Sequence, residues 1–196
     1  MKPIAILIPG FNTKGYYMAE IEPYLQKAGY ETKLFLYKKP TPFTLFNIVA
    51  NRFRTKRILG QLVNVIYKEK GREIILVGHS NGVMLAWSAM NLCQFVSGVV
   101  AFNGALNRNT MFQNWVINCY CTTDKVLKIG GRFRPFSKWG DYGARKQAHV
   151  GADDLKLDSY GVKGHSDFIN HLPSIMAEVL TRIKGQTEDE AVTQIV

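Results

Sequence analysis

Apolar and polar positions come in blocks along this chain, and the blocks change period repeatedly. Ile4–Ile8 is a continuous apolar run stopped by Pro9-Gly10, the pattern of a buried strand. Residues 14–28 space Tyr17, Ile21, Tyr24, Leu25 and Ala28 three and four apart and end at Gly29, which predicts a helix. Residues 34–37 read as a second strand, closed by Pro40 and Pro42. Residues 43–70 are mostly helical in pattern, with Leu59, Leu62, Val63 and Ile66 on one face and Gly71 beyond. A third strand is predicted over 74–77, a helix over 82–94, and further strands over 96–102 and 115–121. Residues 125–147 are irregular and basic, 155–160 alternate like a sixth strand, and 168–184 form an amphipathic helical pattern. From Gln186 the chain turns acidic and is expected to fray as a flexible tail over 186–196.

Strand and helix therefore alternate almost throughout. The fold class is α/β: one domain over 3–185, with a mostly parallel sheet of about six strands and helices on both faces. Right-handed crossovers put every strand's C-terminal end on one edge, where such sheets build their sites.

Composition narrows the classes. In 196 residues, 46% are hydrophobic and 20% charged, an ordinary globular balance that excludes disorder, collagen-like repeats and coiled coil. No apolar run reaches membrane-spanning length. The short apolar stretch at the start lacks a cleavage site, so a cytoplasmic protein is expected. Cys93, Cys119 and Cys121 cannot close a disulfide set and have no zinc spacing; buried reduced thiols are expected.

The net charge of +10 is uneven, with +9 over residues 33–72 and +6 over 125–146, leaving −5 elsewhere. Such segments could favour an acidic substrate, an anionic surface or nucleic acid, although a solvated basic face is the commoner meaning. No nucleic-acid motif accompanies them, and no nucleic-acid partner is expected.

Three strand ends carry chemistry. Gly78-His79-Ser80-Asn81-Gly82 lies directly after the third strand and before a helix. G-x-S-x-G in that position is a nucleophile elbow, a turn too tight for side chains at the glycines that exposes the serine hydroxyl. Asp124 follows the fifth strand, where a carboxylate can fix a histidine's tautomer; alone it would be an ordinary turn residue. His165 follows the sixth, in Gly161-Val162-Lys163-Gly164-His165. The order Ser80, Asp124, His165, after the third, fifth and sixth strands, is the Ser…Asp…His order of nucleophilic hydrolases built on such a sheet. Asp141, Asp153, Asp154 and Asp158 are rival acids. His79 is expected to pack under the turn, and His149 and His171 to be structural or superficial.

On these residues, and on Ile8-Pro9-Gly10-Phe11-Asn12, the chain resembles the α/β-hydrolase superfamily over residues 3–184. Its compact size is most like the minimal lidless lipases and esterases. The resemblance implies Ser80 as nucleophile, His165 as base, Asp124 as orienting acid, and the N–H groups of Phe11 and Asn81 as the oxyanion hole. The family's first two strands have no counterpart. Pro9 stands where the family usually has histidine, which a hole made of backbone N–H groups tolerates. About a dozen residues separate the fourth and fifth strands, too few for a large lid.

The expected function is hydrolysis of a carboxylic ester or thioester through an acyl-enzyme, with no metal and no cofactor. Phe43, Phe46, Phe133 and Trp139, with Phe53 and Phe136, are candidates for a substrate pocket, as against ordinary core packing. Arg52, Arg54, Arg132 and Arg134 are interleaved with them and could hold an anionic substrate. Two other classes stay open: an inert binding protein on the same fold, and a binder of anionic partners through the basic segments.

Overall fold

The computed structural model describes residues 1–10, 15–37, 44–106, 110–130 and 152–193. Its centre is one sheet of six strands: β1 (Ile4–Ile8), β2 (Glu31–Leu34), β3 (Ile74–His79), β4 (Gly98–Phe102), β5 (Trp115–Tyr120) and β6 (Ala152–Lys156). The spatial order is β2-β1-β3-β4-β5-β6, and every neighbouring pair is parallel.

The four inner strands are buried along their whole length, because helices cover both faces of a parallel sheet. Their residues alternate between two cores. Ala5, Leu7, Ile75, Val77, Val100 and Ile117 point to one face. There they meet Met18 and Ile21 of a 3₁₀-helix (Tyr16–Ile21), Leu25 of α1 (Glu22–Lys27), and Ile175 and Val179 of α5 (Leu172–Thr193). Ile4, Ile6, Ile8, Leu76, Val99 and Ala101 point to the other, against Leu62 and Ile66 of α2 (Thr44–Lys68) and Val83, Ala86 and Met90 of α3 (Asn81–Leu92). A short α4 (Lys125–Gly130) follows β5.

The two edge strands differ from expectation. β2 is Glu-Thr-Lys-Leu and β6 is Ala-Asp-Asp-Leu-Lys, both polar and both earlier in the chain than the apolar runs read as strands. An edge strand needs backbone partners on one side only, and charged side chains there discourage further pairing. The apolar residues that follow serve the core: Phe35 and Leu157 are buried after their strands have ended. The sixth strand thus ends at Lys156, and residues 157–160 form a 3₁₀-helix. α5 starts at Leu172 rather than Phe168, which lies in a 3₁₀-helix (Asp167–His171). It also runs on to Thr193, through the acidic segment expected to fray. Glu188, Asp189, Glu190 and Ala191 include no proline or glycine to stop it.

Both elbow glycines are required by space. A Cβ on Gly82 would sit 2.1 Å from the carbonyl oxygen of Ile8, and one on Gly78 would sit 2.8 Å from the backbone nitrogen of Val83. The first contact locks the start of α3 onto the end of β1. Gly82→Ala is therefore expected to cost about 3 kcal/mol or more, a fall of roughly 6–12 °C in melting temperature. Calorimetry checks this, and an unchanged melting temperature would mean that α3 and β1 are not in close contact.

Candidate active site

Ser80 stands between β3 and α3 with φ 54° and ψ −120°, a conformation non-glycine residues rarely adopt. The surroundings hold it there. Its N–H donates to the Phe102 carbonyl at 2.9 Å, and its own carbonyl accepts from the N–H groups of Val83 and Ala105, each at 3.1 Å. Asn81 is the first residue of α3, so its N–H has no partner within the helix.

Asp124 immediately precedes α4 and is fully buried. One carboxylate oxygen accepts the Leu127 N–H at 3.0 Å. The other lies 2.6 Å from Nδ1 of His165, which is itself largely covered. A carboxylate accepts, so Nδ1 carries the proton and Nε2 is left as the basic nitrogen. The structure thus brings Asp124 and His165 together across 41 positions of sequence.

The three rival acids among the described residues are engaged elsewhere. Asp158 accepts from the Thr122 N–H at 2.9 Å and the Thr122 hydroxyl at 2.6 Å. Burial pushes its carboxyl up, but the Thr122 hydrogen bonds outweigh that and leave it below the usual range. Asp153 pairs with Arg182, and Asp154 accepts from Asn118 at 2.9 Å. His171 lies 3.8 Å from Asp167, on the surface. Phe11, Phe43, Phe53, Phe133, Phe136, Trp139, Asp141 and His149 fall outside the described residues or side chains, as do Arg52, Arg54, Arg132, Arg134 and the side chain of Phe46.

His79 is 1% exposed. Burial, helped by the neighbouring charge of His165, lowers its pKa to about 3, so the ring is neutral. Nε2 faces the His165 carbonyl at 3.0 Å, and only a protonated Nε2 can donate to it. Nδ1 is then bare and accepts from the Tyr17 hydroxyl at 2.6 Å.

Sequence reasoning missed Asn103. It is fully buried at the end of β4 with φ 44°. Its Nδ2 donates to the His165 carbonyl at 2.8 Å, and its Oδ1 accepts the Cys121 N–H at 2.9 Å. The available signal was an asparagine straight after an apolar strand, the residue type that best tolerates a left-handed turn.

Cys93, Cys119 and Cys121 are buried and free. Among the described residues no group of three or more His, Cys, Asp or Glu could hold a metal ion, and no helix is long and apolar enough to cross a membrane.

No protein-family model matches the chain, and no curated protein matches its sequence. Solved structures do match. A dienelactone hydrolase from Anabaena variabilis superposes with a TM-score of 0.60 at 14% identity, over 96% of this chain and 86% of its own. A metagenome-derived lipolytic enzyme gives 0.60 at 13% identity, over 94% of each chain. A Bacillus licheniformis lipase gives 0.53 at 15% identity, over 91% of this chain and 92% of its own. The fold is the α/β-hydrolase fold. At these identities the likeness is one of architecture. Within that architecture Ser80, Asp124 and His165 follow β3, β5 and β6, at the sheet edge where all strands end.

Proposed function

We propose that the protein is a serine hydrolase acting on a carboxylic ester or thioester. The observation that carries this reading is the buried Asp124 carboxylate fixed 2.6 Å from Nδ1 of His165, at the same sheet edge as a serine in the strained elbow conformation. A carboxylate kept fully out of water is costly unless it is paired and hydrogen-bonded, and the pairing of Asp124 with one imidazole nitrogen orients that ring.

In the proposed reaction the Ser80 oxygen attacks the acyl carbonyl while Nε2 of His165 removes its proton. The oxyanion of the tetrahedral intermediate is held by the N–H groups of Phe11 and Asn81. The intermediate collapses, the bond to the leaving group breaks, and His165 gives its proton to the departing alcohol or thiol. Water then attacks the acyl-serine with His165 again as base, releasing the carboxylic acid and regenerating Ser80. Every catalytic group in this scheme is a residue of the chain, and water is the only co-substrate. The named activities of the structural neighbours, lipolytic and dienelactone hydrolysis, are of the same acyl-transfer kind. The free buried thiols accord with a reducing compartment such as the cytoplasm.

Kinetics on p-nitrophenyl esters and acyl-thioesters of increasing chain length test the substrate class. Catalytic efficiency is expected to rise up to nearly fourfold per added methylene, from about 0.8 kcal/mol each, until the pocket ends. No jump is expected on adding an oil–water interface, since residues 103–114 are too short a connection for a large lid. Anionic esters should gain at low salt and lose that gain at high salt if the basic segments face the site. A sharp rise at the emulsion threshold would contradict the open site, and a salt-independent preference would return the basic segments to a solvated face.

A further inference from the structure

The peptide bond between Pro9 and Gly10 is gripped from both ends by tyrosines. The Tyr37 hydroxyl donates to the Pro9 carbonyl at 2.8 Å, and the Gly10 N–H donates to the Tyr17 oxygen at 2.8 Å. In a trans peptide these two groups point in opposite directions, so the pair fixes both the position and the tilt of the peptide plane. Tyr37 is largely buried, and burial raises its phenol well above the ordinary range, so it remains a donor. The next peptide carries the Phe11 N–H, one of the two proposed oxyanion donors.

The chain of bonds continues inward. The Tyr17 hydroxyl, having accepted from Gly10, donates to Nδ1 of His79, and Nε2–H of His79 donates to the His165 carbonyl. That carbonyl also accepts from Asn103 Nδ2, so both of its lone pairs are used. Gly10 packs directly on this assembly: a Cβ there would lie 3.1 Å from His79 Nδ1 and 3.2 Å from the Ser80 Cβ. The rings are held as well, with Tyr17 edge-on to His79 and Phe168 beside it. His79 is thus linked on one side, through Tyr17, to Gly10 and bonded on the other to the backbone of the proposed base, and it is the residue before the proposed nucleophile.

We propose that Tyr17, Tyr37 and His79 are positioning residues, a part-buried hydrogen-bonded chain that sets the Pro9–Gly10 peptide, which leads into the proposed oxyanion donor, and the base loop in register with Ser80. The proposal rests on the reading of Ser80 and His165 as nucleophile and base. It assigns no chemistry to His79 itself. A neutral ring there places no charge against the imidazolium that His165 becomes in each step, whose ring centroid is 4.7 Å away. A one-ångström error in any of these loops would be felt in the transition state more than in substrate binding.

The test compares Tyr17→Phe, Tyr37→Phe and His79→Gln with the wild type on one p-nitrophenyl ester. Each tyrosine variant removes the hydroxyl and keeps the ring, while the glutamine amide can stand in for one ring nitrogen of His79 but not for both, so one of its two bonds is lost. The expected result is a kcat lowered roughly ten- to hundredfold with KM changed by less than about threefold. Affinity for a boronic acid, which mimics the tetrahedral intermediate when bound to serine, should fall in parallel with kcat. The double variant Tyr17→Phe, His79→Gln should lose no more than the worse single variant, because both cut the same chain. In the wild type, NMR of the histidine ring nitrogens at neutral pH should show His79 uncharged with its proton on Nε2. That reading needs no variant to fold. Unchanged kcat, additive losses, or a His79 proton on Nδ1 would overturn the network. Retained hydrolysis in Ser80→Ala would instead overturn the reaction itself, so the two failures are told apart.

Discussion

Asp124→Asn is expected to lower kcat by on the order of 10⁴-fold while leaving the fold intact. The carboxylate serves two donors at once, the Leu127 N–H at 3.0 Å and Nδ1–H of His165 at 2.6 Å. An amide has one acceptor oxygen. If Leu127 takes it, the amide NH₂ faces the imidazole and forces the ring proton from Nδ1 to Nε2, which removes the base. If the imidazole takes it, a buried N–H of the backbone is left facing a donor. Asparagine has almost the shape of aspartate, so the effect falls on the tautomer rather than on packing. Asp158→Asn is the control. Its two bonds to Thr122 tie the loop that holds Asp124 to the segment after β6; asparagine can accept only one of the two, which should cost roughly 1–3 kcal/mol of stability with kcat nearly unchanged. Steady-state kinetics on both variants, with melting curves, decide the matter. Near-full activity in Asp124→Asn beside a dead Asp158→Asn would make Asp158 the acid.

Ser80→Ala and His165→Ala carry the other large effect. Each is expected to lower kcat by several orders of magnitude, up to about 10⁶-fold, and the double variant should be little worse than either single one. In the proposed scheme the three groups act as one device, so removing the nucleophile or the base should remove the covalent route as a whole. The fold should survive Ser80→Ala, because the turn is held by backbone bonds from Phe102, Val83 and Ala105 rather than by the hydroxyl. The strain at φ 54° stays in alanine, so the melting temperature should move by only a few degrees. Matched circular dichroism and kinetics read both quantities. A Ser80→Ala protein with wild-type turnover would remove the nucleophile assignment, and one that failed to fold would show the hydroxyl to be structural.

How much of this was legible beforehand depends on whether a residue's role is local. β1, β3, β4 and β5 announce themselves, because a parallel strand covered on both faces must be apolar throughout. β2 and β6 do not, because an edge strand is free to be polar; the apolar residues beside them, Phe35 and Leu157, belong to the core and not to the strands. The elbow was legible since its glycines are demanded within five residues, and the structure gives both a steric reason. Pairing Asp124 with His165 was legible only through their order on successive strand ends. The hydrogen-bonded chain through Tyr17, His79 and Asn103 had almost no local signal, beyond an asparagine placed straight after an apolar strand. Its partners are 62 positions apart at two of its links, and nothing in a tyrosine at helical spacing distinguishes a core ring from one whose hydroxyl meets a histidine. Such links come into being only when the strand ends converge.

The most direct test of the account is covalent. The full chain is treated with a fluorophosphonate, digested, and the modified peptide is sequenced by mass spectrometry. The account predicts a single adduct on Ser80, formed at a rate that falls sharply in His165→Ala and Asp124→Asn and absent in Ser80→Ala. An adduct on another residue, or none on a folded protein, would contradict it and leave an α/β-hydrolase fold that binds without reacting.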